Sequence, residues 1–135
     1  MNEKEITLDA TVENIAAATD FVDEMLETVS CPIKSQMQID VALDELFSNV
    51  ARYAYTPEAG KVTLRVLTGE GFAEISLADS GKPYDPLAKE DPDITLSAQE
   101  RPIGGLGIFL VKKTMDEVQY RFENGKNITT IKKVW

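Results

Sequence analysis

The chain has 135 residues, a formal net charge of −9, one cysteine and no histidine. This length predicts a single domain, residues 1–135, whose core is large enough to be stable without disulfides. The lack of histidine excludes Ser–His–Asp catalysis and histidine-based zinc sites, and it leaves Asp, Glu, Lys or Tyr as any general base. The negative charge argues against nucleic acid and anionic membranes as partners and favours a basic protein.

The hydropathy pattern contains no membrane-spanning segment. No apolar run approaches the roughly 18 to 20 residues that a membrane span requires. The first residues carry charges and lead into no apolar core of the kind found in signal peptides. We therefore expect a cytoplasmic location.

The first half of the chain predicts a strand and two helices. Polar and apolar residues alternate at 5–9, as in a short strand. Apolar residues then recur at helical spacing over residues 12–29, with Thr11 as the predicted N-cap. A second helical pattern covers about residues 34–55.

The second half predicts mainly strands. Period-two alternation and turn residues predict two hairpins, formed by strands 61–67 and 72–78 and by strands 119–123 and 127–135. A helix is predicted at 105–118. The resulting fold class is α+β, a two-layer sandwich with a mixed, mainly antiparallel sheet and helices on one face. The proline-rich stretch before the last helix lacks periodicity, and loops of such length are usually functional or disordered.

The second predicted helix carries one polar stripe. At 3.6 residues per turn, Glu45, Asn49 and Arg52 fall within about 40° of one line. A carboxamide oxygen suits Mg²⁺, which prefers oxygen ligands, and a carboxylate can accept a proton from an attacking hydroxyl group. Taken alone, the three residues also fit an ordinary solvated helix face.

An aspartate and a glycine follow the predicted strand at 72–78. A carboxylate at this position, Asp79, can accept a hydrogen bond from an amino group such as that of adenine, whereas guanine presents a carbonyl oxygen there. The glycine, Gly81, lets a flat ring lie close to the backbone. The same sequence also fits a plain turn.

Three glycines cluster where the helix at 105–118 begins. The segment reads Gly104-Gly105-Leu106-Gly107. Free N–H groups at a helix N-terminus attract phosphate, while each glycine inside a helix costs about 1 kcal/mol relative to alanine. The cluster therefore indicates either a phosphate-binding segment or a flexible junction between loop and helix. It is neither a Walker A loop nor a Gly-x-Gly-x-x-Gly fingerprint.

Together and in this order, the three segments resemble the motifs of the GHKL nucleotide-binding superfamily, which includes gyrase, mismatch-repair ATPases and histidine kinases. Within it, the chain is most similar to the stand-alone bacterial anti-sigma-factor serine/threonine kinases. The matching sequences are Asp44-Glu45-Leu46-Phe47-Ser48-Asn49, Asp79-Ser80-Gly81 with Asp85-Pro86, and Gly104-Gly105-Leu106-Gly107-Ile108. The resemblance covers about residues 6–133 and implies that residues 83–103 form a nucleotide lid.

The resemblance implies bound ATP with Mg²⁺ and a role for each matching residue. Glu45 would be the general base, Asn49 the Mg²⁺ ligand, and Asp79 the group that binds the adenine amino group. Thr130 is expected near Asp79, and Arg101 near a phosphate. The other residues expected to bind nucleotide are Arg52, Gly81, Gly104, Gly105, Leu106 and Gly107.

The resemblance also implies a function. The implied protein is an anti-sigma factor that uses ATP to phosphorylate serine or threonine in a small anti-sigma-factor antagonist protein. The resemblance further implies a homodimer and a sigma factor as a second partner. A nucleotide-gated regulatory switch without significant kinase activity is the alternative, because it needs the same pocket. A two-layer domain that binds no ligand is the third hypothesis.

Overall fold

The computed structural model describes residues 1–54, 60–88 and 106–135. These ranges contain five strands and three α-helices. In chain order these are β1 (Asn2–Asp9), α1 (Ile15–Glu27), α2 (Ile33–Asn49), β2 (Lys61–Gly69), β3 (Phe72–Asp79), α3 (Leu106–Thr114), β4 (Glu117–Glu123) and β5 (Lys126–Val134). The 3₁₀ turns Val12–Asn14 and Pro86–Ala88 and the π-helical turn Val50–Ala54 complete the described elements. No helix in these ranges is long and apolar enough to cross a membrane.

The five strands form one sheet in the order β1-β2-β3-β5-β4. Every pairing between the described strands is antiparallel, so the predicted two-layer α+β class is confirmed, although the sheet was expected to be mixed. Alternate residues of β2 and β3 are buried beneath the helices, as period-two patterning requires. The opposite face of the sheet carries polar side chains.

The core lies between the helices and the inner face of the sheet. Its largest fully buried side chains come from both layers: Leu26, Ile39, Leu43, Phe47, Leu64, Ile75, Leu77 and Ile131. Burying a side chain of this size stabilises a fold by about 1.5 to 3 kcal/mol relative to leaving it exposed. The core therefore holds α2 firmly against β3 and β5, the strands on which the candidate site is built.

The β4–β5 hairpin sets the register of the last strand. Asn124 and Gly125 have positive φ angles of 53° and 75°, which is the geometry of a tight turn compatible with strand twist. The predicted turn is thus confirmed. On its other side β5 pairs with β3, and this pairing places Asn127 directly opposite Asp79.

Two helix boundaries differ from their predicted positions because of tertiary contacts. The predicted second helix ends its α-helical part at Asn49 and continues as a π-helical turn to Ala54. The predicted third helix ends at Thr114 instead of 118, where the Lys133 ammonium group donates a hydrogen bond to the Thr114 carbonyl oxygen (2.6 Å). Beyond it, Val118 pairs with Ile131 in the sheet, so strand pairing overrides the helical pattern.

Thr11 occupies the predicted N-cap position, because it directly precedes the 3₁₀ turn Val12–Asn14 with extended backbone angles. Its side chain makes no capping hydrogen bond. The side-chain amide of Asn14 instead donates a hydrogen bond to the carbonyl oxygen of Asp9 (2.8 Å). This contact ties the start of α1 to the end of β1.

A pair of carboxyl groups lies between α1 and α2. Burial, a hydrogen bond with the Asp23 side chain and the Asp23 charge raise the pKa of Asp40 from 3.8 to about 7. Burial also raises the pKa of the nearby Cys31 thiol, and the charges of Asp40 and Asp23 add to that rise. The thiol is therefore a poor nucleophile at neutral pH.

We expect the Asp40→Asn substitution to stabilise the protein at pH 8. Because the pKa of Asp40 is higher in the folded chain, its contribution to stability is complete below about pH 4 and is lost as the pH rises through about 7. After discounting for solvent screening, removing the charge should be worth about 1 kcal/mol, or about 3 to 5 °C in melting temperature at pH 8. Circular dichroism melts at pH 5 and pH 8 measure this.

The control for this experiment is Asp44→Asn, one helical turn further along α2 at an exposed position. It should change the two melting temperatures equally. If Asp40→Asn lowers the melting temperature as much at pH 8 as at pH 5, the charge of Asp40 does not destabilise the folded protein at pH 8.

Candidate nucleotide-binding site

A pocket opens where the end of α2 meets the ends of β3 and β5. It occupies about 340 Å³, counting the space at its open mouth. Its lining is mainly apolar around a few polar groups: Leu46, Asn49, Val50, Ala54, Leu77, Asp79, Tyr84, Pro86, Asn127 and Thr129. Small-molecule sites typically have this composition, because apolar walls bind flat rings and polar groups set their orientation.

Asp79, the last residue of β3, is the buried charge of the pocket, with 4% of its surface exposed. Its Oδ1 accepts one hydrogen bond from the Asn127 side-chain amide (2.9 Å) and one from the Gly81 backbone N–H (2.9 Å). Burial raises the pKa of Asp79, while these two hydrogen bonds oppose the rise. Since both bonds end on Oδ1, Oδ2 is the oxygen placed to accept from a ligand.

The turn after Asp79 packs directly on the end of the π-helical turn. A Cβ added to Gly81 would overlap the carbonyl oxygen of Ala54 and lie 2.7 Å from its Cβ. The Lys82 backbone N–H donates a hydrogen bond to the same Ala54 carbonyl (3.0 Å). Gly81 is therefore needed for a close approach, but the described approach is to the backbone of Ala54.

Two further residues of the predicted motifs, Glu45 and Asn49, lie on α2. Asn49 lines the pocket and is 9% exposed, and Glu45 is half-buried one helical turn earlier. The carboxyl group of Glu45 rests against Gly107, in the first turn of α3, so closely that a Cβ there would overlap it. The structure thus brings the acid of one motif to the glycine of another.

Two predicted residues lie away from the pocket. Arg52 is exposed and does not line it, because the π-helical turn breaks the 3.6-residue period that aligned it with Asn49. Thr130 lies on the opposite face of the sheet, where its hydroxyl group bonds that of Ser76 (3.0 Å). Its neighbour Thr129 lines the pocket instead, since successive strand residues face opposite sides.

Some predicted residues lie outside the described ranges. These are Arg101, Gly104, Gly105 and the lid after residue 88. Leu106 is the first residue of α3. The described start of the predicted lid contains Tyr84, whose ring stacks on that of Tyr53 with centroids 5.3 Å apart.

Sequence reasoning missed Asn127 and its two tyrosine partners. The Oδ1 of Asn127 accepts hydrogen bonds from the hydroxyl group of Tyr120 (2.5 Å) and from the backbone N–H of Tyr84 (3.1 Å). Burial chiefly raises the pKa of the Tyr120 phenol, which therefore remains a donor. The available signal was the hairpin register, which places Asn127 on the same face of β5 as Thr129 and Ile131.

The sequence matches a known family over nearly its whole length. A model of the histidine kinase-like ATPase domain covers residues 8–133. The serine-protein kinase RsbW of Listeria monocytogenes is 27% identical over 99 residues, which are 70% of this chain and 63% of that protein. RsbW of Bacillus cereus is 29% identical over 96 residues, 68% of this chain and 60% of that protein. The chain thus spans less than two thirds of these relatives.

Two solved structures share the fold. The RsbU and RsbW domains of a Mycobacterium tuberculosis protein superimpose with a TM-score of 0.69 and 16% identity, covering 99% of this chain and 32% of that one. The SiaB–SiaC complex of Pseudomonas aeruginosa gives a TM-score of 0.59 and 14% identity, covering 96% and 89%. At such identities the likeness concerns the fold, and it agrees with the two-layer sandwich predicted from the sequence.

We expect Gly81→Ala to destabilise the protein by about 2 kcal/mol, because the added methyl group meets the backbone of Ala54 and must displace the turn. Urea unfolding monitored by tryptophan fluorescence measures the loss.

Gly107→Ala is the matched control. The three atoms nearest to its methyl group belong to the flexible end of Glu45, and alanine recovers up to about 1 kcal/mol of helix propensity. Its stability should change by less than about 1 kcal/mol. Equal losses in the two variants would contradict the packing of Gly81 on Ala54.

Proposed function

Because the chain belongs to the histidine kinase-like ATPase domain family, we propose that residues 1–135 form one ATP-binding domain that acts as a protein serine/threonine kinase. The name of its relatives, serine-protein kinase, supports this activity. The observation that carries the proposal is the arrangement around α2. A buried acceptor, Asp79, lies in the pocket, and a carboxylate, Glu45, lies one turn from Asn49 against the start of α3.

The residues of the pocket fit a magnesium-bound adenine nucleotide. Leu46, Val50 and Leu77 provide apolar surface for the two faces of a base, and Asp79 provides an acceptor for its amino group. Asn49 offers a neutral oxygen ligand of the kind that Mg²⁺ accepts. Gly107 lies in the first turn of α3, where backbone N–H groups favour phosphate.

In the proposed reaction, Glu45 accepts the proton of the substrate hydroxyl group. The hydroxyl oxygen forms a bond to the γ-phosphorus, and the bond between that phosphorus and the β,γ-bridging oxygen breaks, which leaves ADP. Mg²⁺, when bound, supplies positive charge that offsets the charge of the phosphates. The chain has no histidine, so a carboxylate beside the phosphate-binding segment is the base that this site can offer.

We expect Glu45→Gln to reduce phosphate transfer at least about 100-fold while ATP affinity stays within about threefold, because the substitution removes the base and keeps the shape. Transfer of labelled γ-phosphate to antagonist-type proteins of the same genome measures the rate. Calorimetric titration with Mg-ATP measures the affinity.

Asp44→Asn is the control, since it changes the adjacent, exposed carboxylate. Unaltered transfer in Glu45→Gln would show that Glu45 is not the base. A stable complex between the unaltered chain and an antagonist protein, with ATP bound and no transfer, would instead favour the regulatory-switch alternative.

Exposed apolar side chains beside Glu45 support a protein substrate. Met37 and Val41 of α2 are 63% and 58% exposed, and Leu110 of α3 is 42% exposed. Together with Gln38 and Thr114 they line a shallow groove. Val41 lies one turn before Glu45, and Leu110 lies one turn after Gly107, so the groove leads to the proposed base. Exposed apolar patches commonly mark protein interfaces.

We place the phosphoacceptor protein on this groove. The Val41→Glu substitution should raise KM for the protein substrate at least about tenfold and leave ATP affinity unchanged, because it puts a charge into an apolar contact. Steady-state phosphorylation at saturating ATP measures KM and kcat.

The matched control is Val12→Glu, which changes a valine of similar exposure, 52%, in the first 3₁₀ turn. Equal effects of the two substitutions would argue against the groove. The homodimer and the sigma factor as second partner are proposed from the resemblance alone, and the cytoplasmic location is proposed from the hydropathy pattern and the charged first residues.

A further inference from the structure

We propose that Asn127 is the positioning residue that gives the pocket its selectivity for the base. It holds Asp79 as a hydrogen-bond acceptor with Oδ2 open to the ligand, so that a base with an exocyclic amino group is favoured over one with a carbonyl oxygen. The inference rests on the proposed nucleotide-binding function and assigns to β5 a role that none of the three motifs contains.

The side-chain amide of Asn127 uses its full hydrogen-bonding capacity. Its Nδ2 donates to Oδ1 of Asp79 (2.9 Å) and to the carbonyl oxygen of Lys82 (2.9 Å). Its Oδ1 accepts from the N–H of Tyr84 (3.1 Å) and from the hydroxyl group of Tyr120 (2.5 Å). An amide has two N–H donors and one oxygen with two lone pairs, so all four positions are occupied.

These four partners fix the orientation of the amide. If it were turned by 180°, its oxygen would face the Asp79 carboxylate and the Lys82 carbonyl group, and its nitrogen would face the N–H of Tyr84. Each of these contacts would be repulsive. Because Asn127 is 3% exposed, water does not easily replace the lost partners. The protein therefore presents an N–H group, and never an oxygen, to Asp79.

Because the amide of Asn127 always donates a hydrogen bond to Asp79, this carboxyl group remains an acceptor. Burial raises the pKa of Asp79, and the hydrogen bond from Asn127 is the largest effect that opposes it. Other ionisable groups lie at this end of the described sheet. Lys61 pairs with Asp9, Arg121 pairs with Glu123, Lys82 lies in the turn after β3, and Lys126 begins β5. Tyr120 donates to Asn127, and the side chain of Asp85 is bound to the N–H of Leu87. The hydrogen bonds described for Asp79 come only from Gly81 and Asn127, and these two bonds and burial are the effects that shift its pKa.

The test compares ATP with inosine triphosphate, whose base has a carbonyl oxygen in place of the adenine amino group. Titration with each nucleotide in the presence of Mg²⁺, between pH 6 and pH 9, gives the ratio of their dissociation constants. For the unaltered chain we expect ATP to bind at least about tenfold more tightly, with a ratio that changes less than about threefold over this range.

Asn127→Asp keeps the shape and the acceptor oxygen but places two carboxyl groups against each other. Such a pair shares one proton, so Asp79 carries that proton part of the time and the strength of its Oδ2 as an acceptor depends on pH. The preference for ATP should fall below about threefold at pH 6.5 and should vary at least about fivefold with pH. Asn127→Ala removes the donor without adding a charge, so its preference for ATP should be weaker at low pH than at high pH. This second variant also covers the case in which Asn127→Asp folds poorly.

Two further variants separate positioning from structure. Thr130→Val changes a residue of the same strand on the opposite face and should alter neither affinity nor ratio. Tyr120→Phe removes one of the four contacts of Asn127 and should weaken both nucleotides equally. If both Asn127 variants keep the unaltered ratio at every pH, the inference is overturned while the proposed function stands. An unaltered chain that binds neither nucleotide overturns both.

Discussion

The hydrogen bonds on Oδ1 of Asp79 are the constraint on which the arrangement of the pocket depends. A carboxylate with 4% exposure is costly unless donors compensate its lost hydration. One donor, the N–H of Gly81, requires the chain to turn immediately after β3. The other, Asn127, requires β5 to pair with β3 in one register, since a shift of one residue would turn the amide to the outer face. Compensating the buried charge of Asp79 therefore requires both this turn and this strand pairing.

The same turn explains the irregular end of α2. Gly81 has no side chain, so the backbone of Ala54 can approach it, and the carbonyl group of Ala54 accepts the N–H of Lys82. An α-helix that kept its period to the end would place Ala54 differently. The π-helical turn Val50–Ala54 is therefore the local cost of joining α2 to the Asp79 turn. Single π-helical turns within helices are frequently found at functional sites.

The sequence predicted the strands and the positions of Asp79, Asn49 and Glu45 because these follow from local periodicity. It failed for residues whose position depends on strand register or on tertiary contacts. Thr130 was one residue from Thr129, and a strand converts that difference into opposite faces of the sheet. Arg52 left the polar stripe because tertiary contacts replaced an α-helical turn by a π-helical one. Asn127 was missed because its partner Asp79 lies 48 residues earlier, so the hairpin register could indicate its face of β5 but not its contact.

In the proposed site, the residues that recognise the base and the residues that act in phosphate transfer are positioned by different kinds of contact. Asp79 and Asn127 belong to neighbouring strands, and backbone pairing along β3 and β5 keeps them aligned. Glu45 meets Gly107 through the end of a flexible side chain between two helices. Strand pairing tolerates little displacement, whereas a side-chain contact can adjust as a substrate binds. Selectivity for the base is therefore expected to persist in variants of Glu45 or Gly107 that lose phosphate transfer, because the hydrogen bonds between the strands do not depend on this contact.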